Sequence, residues 1–542
     1  MRFSKIIVPV LLLNIGMPVV GQKKETVNYS KVWVADNGDG TYKNPIIHAD
    51  YSDLDVVRVG KEYYMTASSF NCVPGLPILH SNDLVNWKLI GHAIKKQIPL
   101  EVFNKPQHGN GVWAPSIRFH NNEFYIYYCD PDFGIYLVKA KKPEGPWSEP
   151  ILVKGGKGLI DPTPLWDDDG QVYLGYAYAG SRAGIKSILV ICTMNAEGSI
   201  AQNDEVMILD GHEEEPVVEG PKLYKHNGYY YVFAPAGGVS TGWQTVLRSK
   251  NIYGPYEKRK VMDQGKTEIN GPHQGAWIQT QAGEDWFFHF QDKKAYGRVV
   301  HLQPMKWVDN WPVIGIDDDK NGVGEPVMVY KKPNVGKTFP ILTPPDGDEF
   351  NSLKLGLQWQ WHANPEVNWG FPTSMGYFNM FCRPVPEEAI NLYDVPNLLL
   401  QKLPSEEFTA TAKLTFNARF DGEYTGLLIM GLDYSYLCLK QEGGKLFLSQ
   451  KTAENCDKKG IESESNQVQI ENKTVYLQVK VKKGGICDFS YSQDGINFNS
   501  IGQSFTAKEG KWIGAKIGFL ALRKGKINDA GSVAIDWFRI TN

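Results

Sequence analysis

"VEGPKLYKHNGYYYVFAPAGG", residues 218–238, holds the unit from which the fold can be read. A short strand ends at His226, Asn227-Gly228 form a turn, and a second strand opens on three tyrosines. Asn-Gly between two such runs is a strong short-range hairpin signal. Just ahead of the hairpin stands one carboxylate, Glu219, set between valines and a Gly-Pro. A surface acid is the ordinary reading of a lone glutamate, so its meaning depends on whether the unit repeats.

It recurs four more times in the first 300 residues, as "VVRVGKEYYMTASS" (56–69), "SIRFHNNEFYIYYC" (116–129), "PLWDDDGQVYLGYA" (164–177) and "WIQTQAGEDWFFHF" (277–290). The aromatic anchors Tyr63, Tyr125, Tyr173, Tyr229 and Trp286 are spaced by 62, 48, 56 and 57 residues. About 50 residues per unit suits one four-stranded blade of a β-propeller. A pair of β-sandwiches with coincidental spacing is the rival arrangement. The expected fold is all-β: a five-bladed propeller over 30–325, a Pro, Gly and Lys-rich linker over 326–344, and an antiparallel β-sandwich over 345–542. The last segment alternates apolar and polar residues in runs such as "FTATAKLTF" and "VAIDWFRI", as one-sided sheets do.

Composition narrows the function. Lys plus Arg is 57 against 60 for Asp plus Glu, a net charge of -3 with no long basic run, so nucleic acid is not expected as a partner. The opening "MRFSKIIVPVLLLNIGMPVVGQKK" has Arg2 and Lys5 ahead of a short Pro-interrupted apolar stretch, then small residues near Gly21. It reads as an export signal over 1–21, with no membrane span, and places the protein in the periplasm or outside the cell. Seven cysteines without paired spacing are expected to be mostly free and buried, with a single bridge from Cys438 to Cys456 or Cys487 left open.

In a propeller the innermost strand of each blade lines the central channel. Counting back from the anchors places Asp53, Asp161, Glu219 and His273 at the openings of blades one, three, four and five. Three carboxylates around one cavity repel, so at least one should keep its proton near neutral pH. A protonated acid beside an ionised base is the pair that cleaves a glycosidic bond, with no cofactor needed for catalysis. Each acid taken singly could equally bind backbone amides at a turn. His273 could be a hydrogen-bonded core residue or could reach a hydrated cation on the axis. Asp55 and the run Asp167–Asp169 read as solvated turn residues.

From "NPIIHADYSDLDVVRVG" through "GVWAPSIRF", "GLIDPTPLW", "EGPKLYKHNG" and "GPHQGAWI" to "AYGRVVHLQ", residues 44–315 resemble glycoside hydrolase family 43, five-bladed propeller enzymes acting on pentose-containing plant polysaccharides. The resemblance implies Asp53 as general base, with Asp50 as the competing position, Glu219 as general acid, and Asp161 as the acid that orients Glu219 and raises its pKa. The usual Pro after the base is Leu54 here. It also implies Arg298 as a sugar contact, Phe70, Trp113 and Trp243 as aromatic wall, and His273 beside an axial calcium or water. The tail resembles the concanavalin A-like, jelly-roll sandwich of family 43 β-xylosidases, which implies a structural calcium near Asp348 and Asp536 and a sandwich loop at the pocket rim. The expected function is inverting, exo-acting release of β-D-xylose or α-L-arabinofuranose from plant cell-wall oligo- or polysaccharides. A non-catalytic carbohydrate-binding protein and a retaining fructan enzyme are the alternatives, and "SDLD" lacks the Asn-Asp-Pro pattern of the latter.

Overall fold

The computed structural model describes residues 29–525 and 528–542, so the expected export signal lies outside the described residues. Five four-stranded antiparallel sheets follow one another in chain order, each a simple meander. Their first strands are Asp55–Val59, Trp113–His120, Leu159–Trp166, Lys222–His226 and His273–Gln279. The first strand of blade five packs against that of blade one, and Thr41–Lys43 pairs with Val329–Lys331, so segments from both ends of the propeller meet. The hairpins quoted above form as the turn residues dictate, with His226 opposite Tyr229 across Asn227-Gly228. Between blades the packing is aromatic and aliphatic, with Tyr63, Tyr127, Tyr176, Tyr231 and Trp286 buried.

One backbone device recurs at the head of all five inner strands. Asp53 (φ 54°), Ala114 (27°), Asp161 (58°), Gly220 (61°) and Gln274 (32°) each take a positive φ. In blades two, three and five the pairing register slips at this point, a bulge that re-aims one residue out of the ladder. Left-handed backbone costs a non-glycine residue about 1–2 kcal/mol, so holding Asp53 and Asp161 there requires support from their surroundings.

After blade five the chain enters a two-sheet sandwich with central strands Phe408–Asn417, Tyr424–Met430, Thr474–Lys482, Lys516–Arg523 and Ser532–Thr541. Its core includes Trp359, Phe378, Phe408, Phe519 and Phe538, and the propeller contributes Ala295 and Tyr296 to the same cluster. The Tyr296 hydroxyl accepts from the Gly485 amide at 2.8 Å, and Val73 and Trp361 exchange two backbone hydrogen bonds across the junction. The two domains therefore share a packed interface. All seven cysteines are free and buried, so the bridge left open for Cys438 does not form. Two turn assignments need correction. Asp55 is fully buried against Arg118, and Asp167 is bonded to Lys225 and Tyr230, because each faces a neighbouring blade and not solvent.

Candidate active site

At the mouth of the propeller axis lies a cavity of about 510 Å³ lined by Asp53, Asp161, Glu219, Arg298, Gln274, Lys186 and aromatic rings. The positive-φ turns lie at or next to these groups, at the heads of the inner strands. Asp53 Oδ1 accepts from Arg298 Nη1 at 2.9 Å and Oδ2 from Ser68 Oγ at 2.6 Å. Ser68 is itself fixed by the Ala114 amide of blade two, at 2.7 Å. Two donors on one carboxylate hold it against rotation. Asp50 is not in the cavity. Its oxygens accept the backbone N–H of Arg298 at 2.9 Å and of Gly514 at 3.0 Å. A Cβ on Gly297 would meet the Asp50 side chain at 2.5 Å, so glycine is required where that loop crosses.

Asp161 Oδ2 accepts the Gly220 amide at 2.7 Å, which ties it to the residue following Glu219. Burial first, and the Asp53 charge second, raise its pKa, while the Gly220 amide, Lys222 and Gln274 oppose the rise. For Glu219 the pKa is also raised, by burial first and then by the charges of Asp161 and Asp53; Arg298 and Lys186 oppose it. Its Oε1 lies 3.5 Å from His273 Nε2. That ring is buried and its pKa is pushed down to about 3 by desolvation and then by Arg298, so His273 is neutral at working pH and supplies no cation to Glu219.

Beneath the cavity the axis continues as a second charged layer. Lys222, 1% exposed, crosses from blade four to blade two and donates to Pro115 O and Ser116 Oγ, both at 2.9 Å. Asp55 accepts from the Ile117 amide at 2.9 Å and pairs with Arg118, whose other arm reaches Thr163 Oγ1 at 3.2 Å. The carboxylates Asp53, Asp55, Asp161 and Glu219 share the axis with Arg118, Lys222, Arg298 and Lys186, and the charges of Asp161 and Asp53 act on Glu219. The arrangement thus places a carboxyl whose pKa is raised, Glu219, and a carboxylate bonded to a guanidinium, Asp53, around the same space.

Of the aromatic candidates, Phe70 and Trp113 line the cavity, their centroids 6.2 Å apart. Trp113 donates from Nε1 to Gly109 O at 2.8 Å, and the Arg182 guanidinium lies 5.6 Å above its ring. Trp243 does not line the cavity. Its indole donates to Glu215 Oε2 and Thr245 Oγ1, both at 3.0 Å, and its ring packs in the blade core. In its place the sandwich supplies Trp512, 6.3 Å from Trp113 and seated at a positive φ of 64°. Sequence reading missed Trp512, Ser68, Lys222, Lys186 and Gln274. Gln274 and Lys222 could have been found by aligning the five strand openings. Trp512 lies in a turn more than 210 residues beyond Arg298, the last propeller residue lining the cavity, and gives no local signal.

The residues expected to hold calcium do not form an ion site. Among the described residues no group of three or more His, Cys, Asp or Glu side chains is placed to hold a metal. Asp536 pairs with Lys413, and Asp348 accepts from the Phe350 amide at 2.8 Å and from Trp359 Nε1 at 3.0 Å, so each is already engaged in folding the sandwich. Both ring nitrogens of His273 lack a hydrogen-bond partner, but Arg298 beside it disfavours a cation.

Residues 42–312 match the model of "Glycosyl hydrolases family 43", and residues 347–541 match "Beta xylosidase C-terminal Concanavalin A-like domain". A Xylanibacter ruminicola protein described as "Putative beta-xylosidase" is 38% identical over 505 residues, covering 91% of this chain and 88% of its own. The "Non-reducing end alpha-L-arabinofuranosidase BoGH43B" of Bacteroides ovatus is 29% identical, covering 76% and 78%. The crystal structure of the family 43 protein BlXynB from Bacillus licheniformis superposes with a TM-score of 0.79 at 26% identity, over 92% of this chain and 99% of that one. With a family match across half its length, close relatives over nearly all of it and the axial carboxylates in place, the chain belongs to glycosyl hydrolase family 43 and is a glycosidase.

Proposed function

We propose that this glycosidase removes single terminal pentoses, β-D-xylose or α-L-arabinofuranose, from plant cell-wall oligosaccharides or polysaccharides with inversion at the anomeric carbon. Asp53, held in place by Arg298 and Ser68, takes a proton from a water that attacks the anomeric carbon. Glu219 gives its proton to the glycosidic oxygen as the bond to the leaving group breaks. The base comes from blade one and the acid from blade four, on separated sides of a five-blade ring, which suits the spacing of about 6.5–9.5 Å that leaves room for water in inverting enzymes. Asp161 fixes the strand opening through Gly220 and, by its charge, keeps the proton on Glu219. Arg298 doubles as a sugar donor at the cavity floor.

Exo action is supported by the added wall at the rim. Trp512 of the sandwich stands against Trp113 there, which narrows the mouth and favours a chain end. Both pentoses appear among the relatives' names, a β-xylosidase and an α-L-arabinofuranosidase. The leader-like N-terminal sequence supports a periplasmic or secreted location, where such polymers are met.

The single observation that carries the reading is the convergence of Asp53, Asp161 and Glu219 in one cavity, with Glu219 alone lacking a hydrogen-bonded cation or amide of its own. A panel of aryl pentosides and short oligosaccharides, with the released sugar identified, tests it. Release of monomeric xylose or arabinose from non-reducing ends is expected. Binding without release, or release of longer oligosaccharides, would reject it.

A further inference from the structure

Away from the active site, the junction between propeller and sandwich buries an unusual arrangement of charge. Lys402 ends the strand Leu399–Lys402 and lies directly opposite Lys516, the first residue of Lys516–Arg523. Opposed residues on antiparallel strands project to the same face about 5 Å apart, and like charges so placed destabilise a sheet. Here Lys516 is also buried and Lys402 half-buried. Lys516 is 4% exposed, and Lys402 points into a small cavity of about 50 Å³ between the domains.

No carboxylate lies within 4.0 Å of either ammonium among the described residues. Lys516 Nζ has one acceptor, Gln360 Oε1 at 3.2 Å, and Lys402 Nζ stands 5.0 Å over the Tyr51 ring. The nearest acid, Asp50, is already engaged by the amides of Arg298 and Gly514. His92, on blade one, lines the same cavity and feels both lysines. Two further acceptors at the cavity, Asp346 Oδ2 and Gln401 Oε1, belong to its other side: Gln401 bonds the Asp346 carbonyl, and successive strand residues face opposite ways. The lysine side therefore carries two ammoniums against one acid, Asp50, that is already engaged by backbone amides.

We propose that the Lys402 side of this cavity is a binding site for a small inorganic anion of halide size, held between the Lys402 ammonium, the His92 ring and the field of Lys516. The volume admits a monatomic anion with a water or two and excludes a sugar or nucleotide. Such an anion would neutralise the cross-strand repulsion and make the domain junction depend on its presence. Burial and Lys516 push the Lys402 pKa down to about 8, and an anion bound beside it would favour the charged form.

The test is thermal unfolding of the full chain at pH 7 in sodium chloride or bromide against sodium gluconate at matched ionic strength. A ligand that binds only the folded state should raise the midpoint saturably, on the order of 2 °C for a protein of this size, in the halides alone. Lys402→Met should remove that difference. A bromide-soaked crystal of the unaltered protein should show an anomalous peak beside Lys402, which keeps the proposal testable if the variant does not fold. Equal midpoints in halide and gluconate, an unchanged halide effect in Lys402→Met, or a cavity without bromide would each overturn it and indicate that Lys402 is neutral in the fold.

Discussion

Replacing Asp161 by Asn removes one negative charge beside Glu219 while keeping the side chain's shape and an oxygen for the Gly220 amide. Burial is the largest cause of Glu219's raised pKa and the Asp161 charge the second, so the value should fall partway toward the ordinary 4.5. A like charge at close range is worth on the order of one to three pH units. The consequence is large because a carboxyl at the ordinary value keeps its proton at pH 7 in only about one molecule in three hundred. Glu219 must be protonated to act, so its titration sets the alkaline limb of kcat/KM. In Asp161→Asn that limb should move down by about one to three pH units, and the loss at pH 8 should exceed the loss at pH 5 by at least about fivefold. The assay is the pH profile of kcat/KM on a pentose disaccharide, whose leaving group needs a proton. The same fractional loss at every pH would refute the assignment, because a merely structural role for Asp161 scales the profile without moving it.

Three further outcomes follow from the same geometry. Glu219→Ala should lower cleavage of a disaccharide by about 10²–10⁴-fold while sparing an activated aryl pentoside, and Asp53→Ala should suppress both; equal losses in Glu219→Ala would remove it as the acid. Trp512→Ala, which takes away a rim ring seated beside Trp113, should raise KM for oligosaccharides about threefold to tenfold with little change in kcat, and an unchanged KM would show that the sandwich only supports the propeller. Buried neutral histidines should make the fold acid-labile: His273 titrates at about 3 and His289 and His362 at about 4, all below the ordinary 6.5. Between 6.5 and those values the unfolded chain binds more protons, so each should withdraw up to about 1.4 kcal/mol per pH unit as pH falls. His362→Gln should flatten the fall in unfolding midpoint from pH 6.5 to 4.5, and an identical slope would contradict this.

The propeller was legible because its rule is local. A turn such as Asn227-Gly228 fixes a hairpin within a few residues, and five copies at blade spacing imply a ring. The axial acids followed from the same counting, because an inner strand has one end at the mouth. Contacts between distant segments were not legible. Asp55 read as a turn residue until Arg118, 63 positions on, was seen to cover it, and Trp243 read as wall because nothing near it announces Glu215 as its partner. Nor does a strand's alternation say that Lys402 will fall opposite Lys516. Register across a sheet is set by the whole sandwich.

The central claim, that Asp53 and Glu219 act on opposite sides of a bound pentose, is tested most directly by following the first turnover by proton NMR in deuterated buffer. With an aryl β-D-xyloside or α-L-arabinofuranoside that the enzyme accepts, the account predicts that the first sugar to accumulate has the opposite anomeric configuration, before mutarotation. First release of the same anomer as the substrate would contradict it, since that result requires a carboxylate bonded to the sugar and not one that deprotonates water.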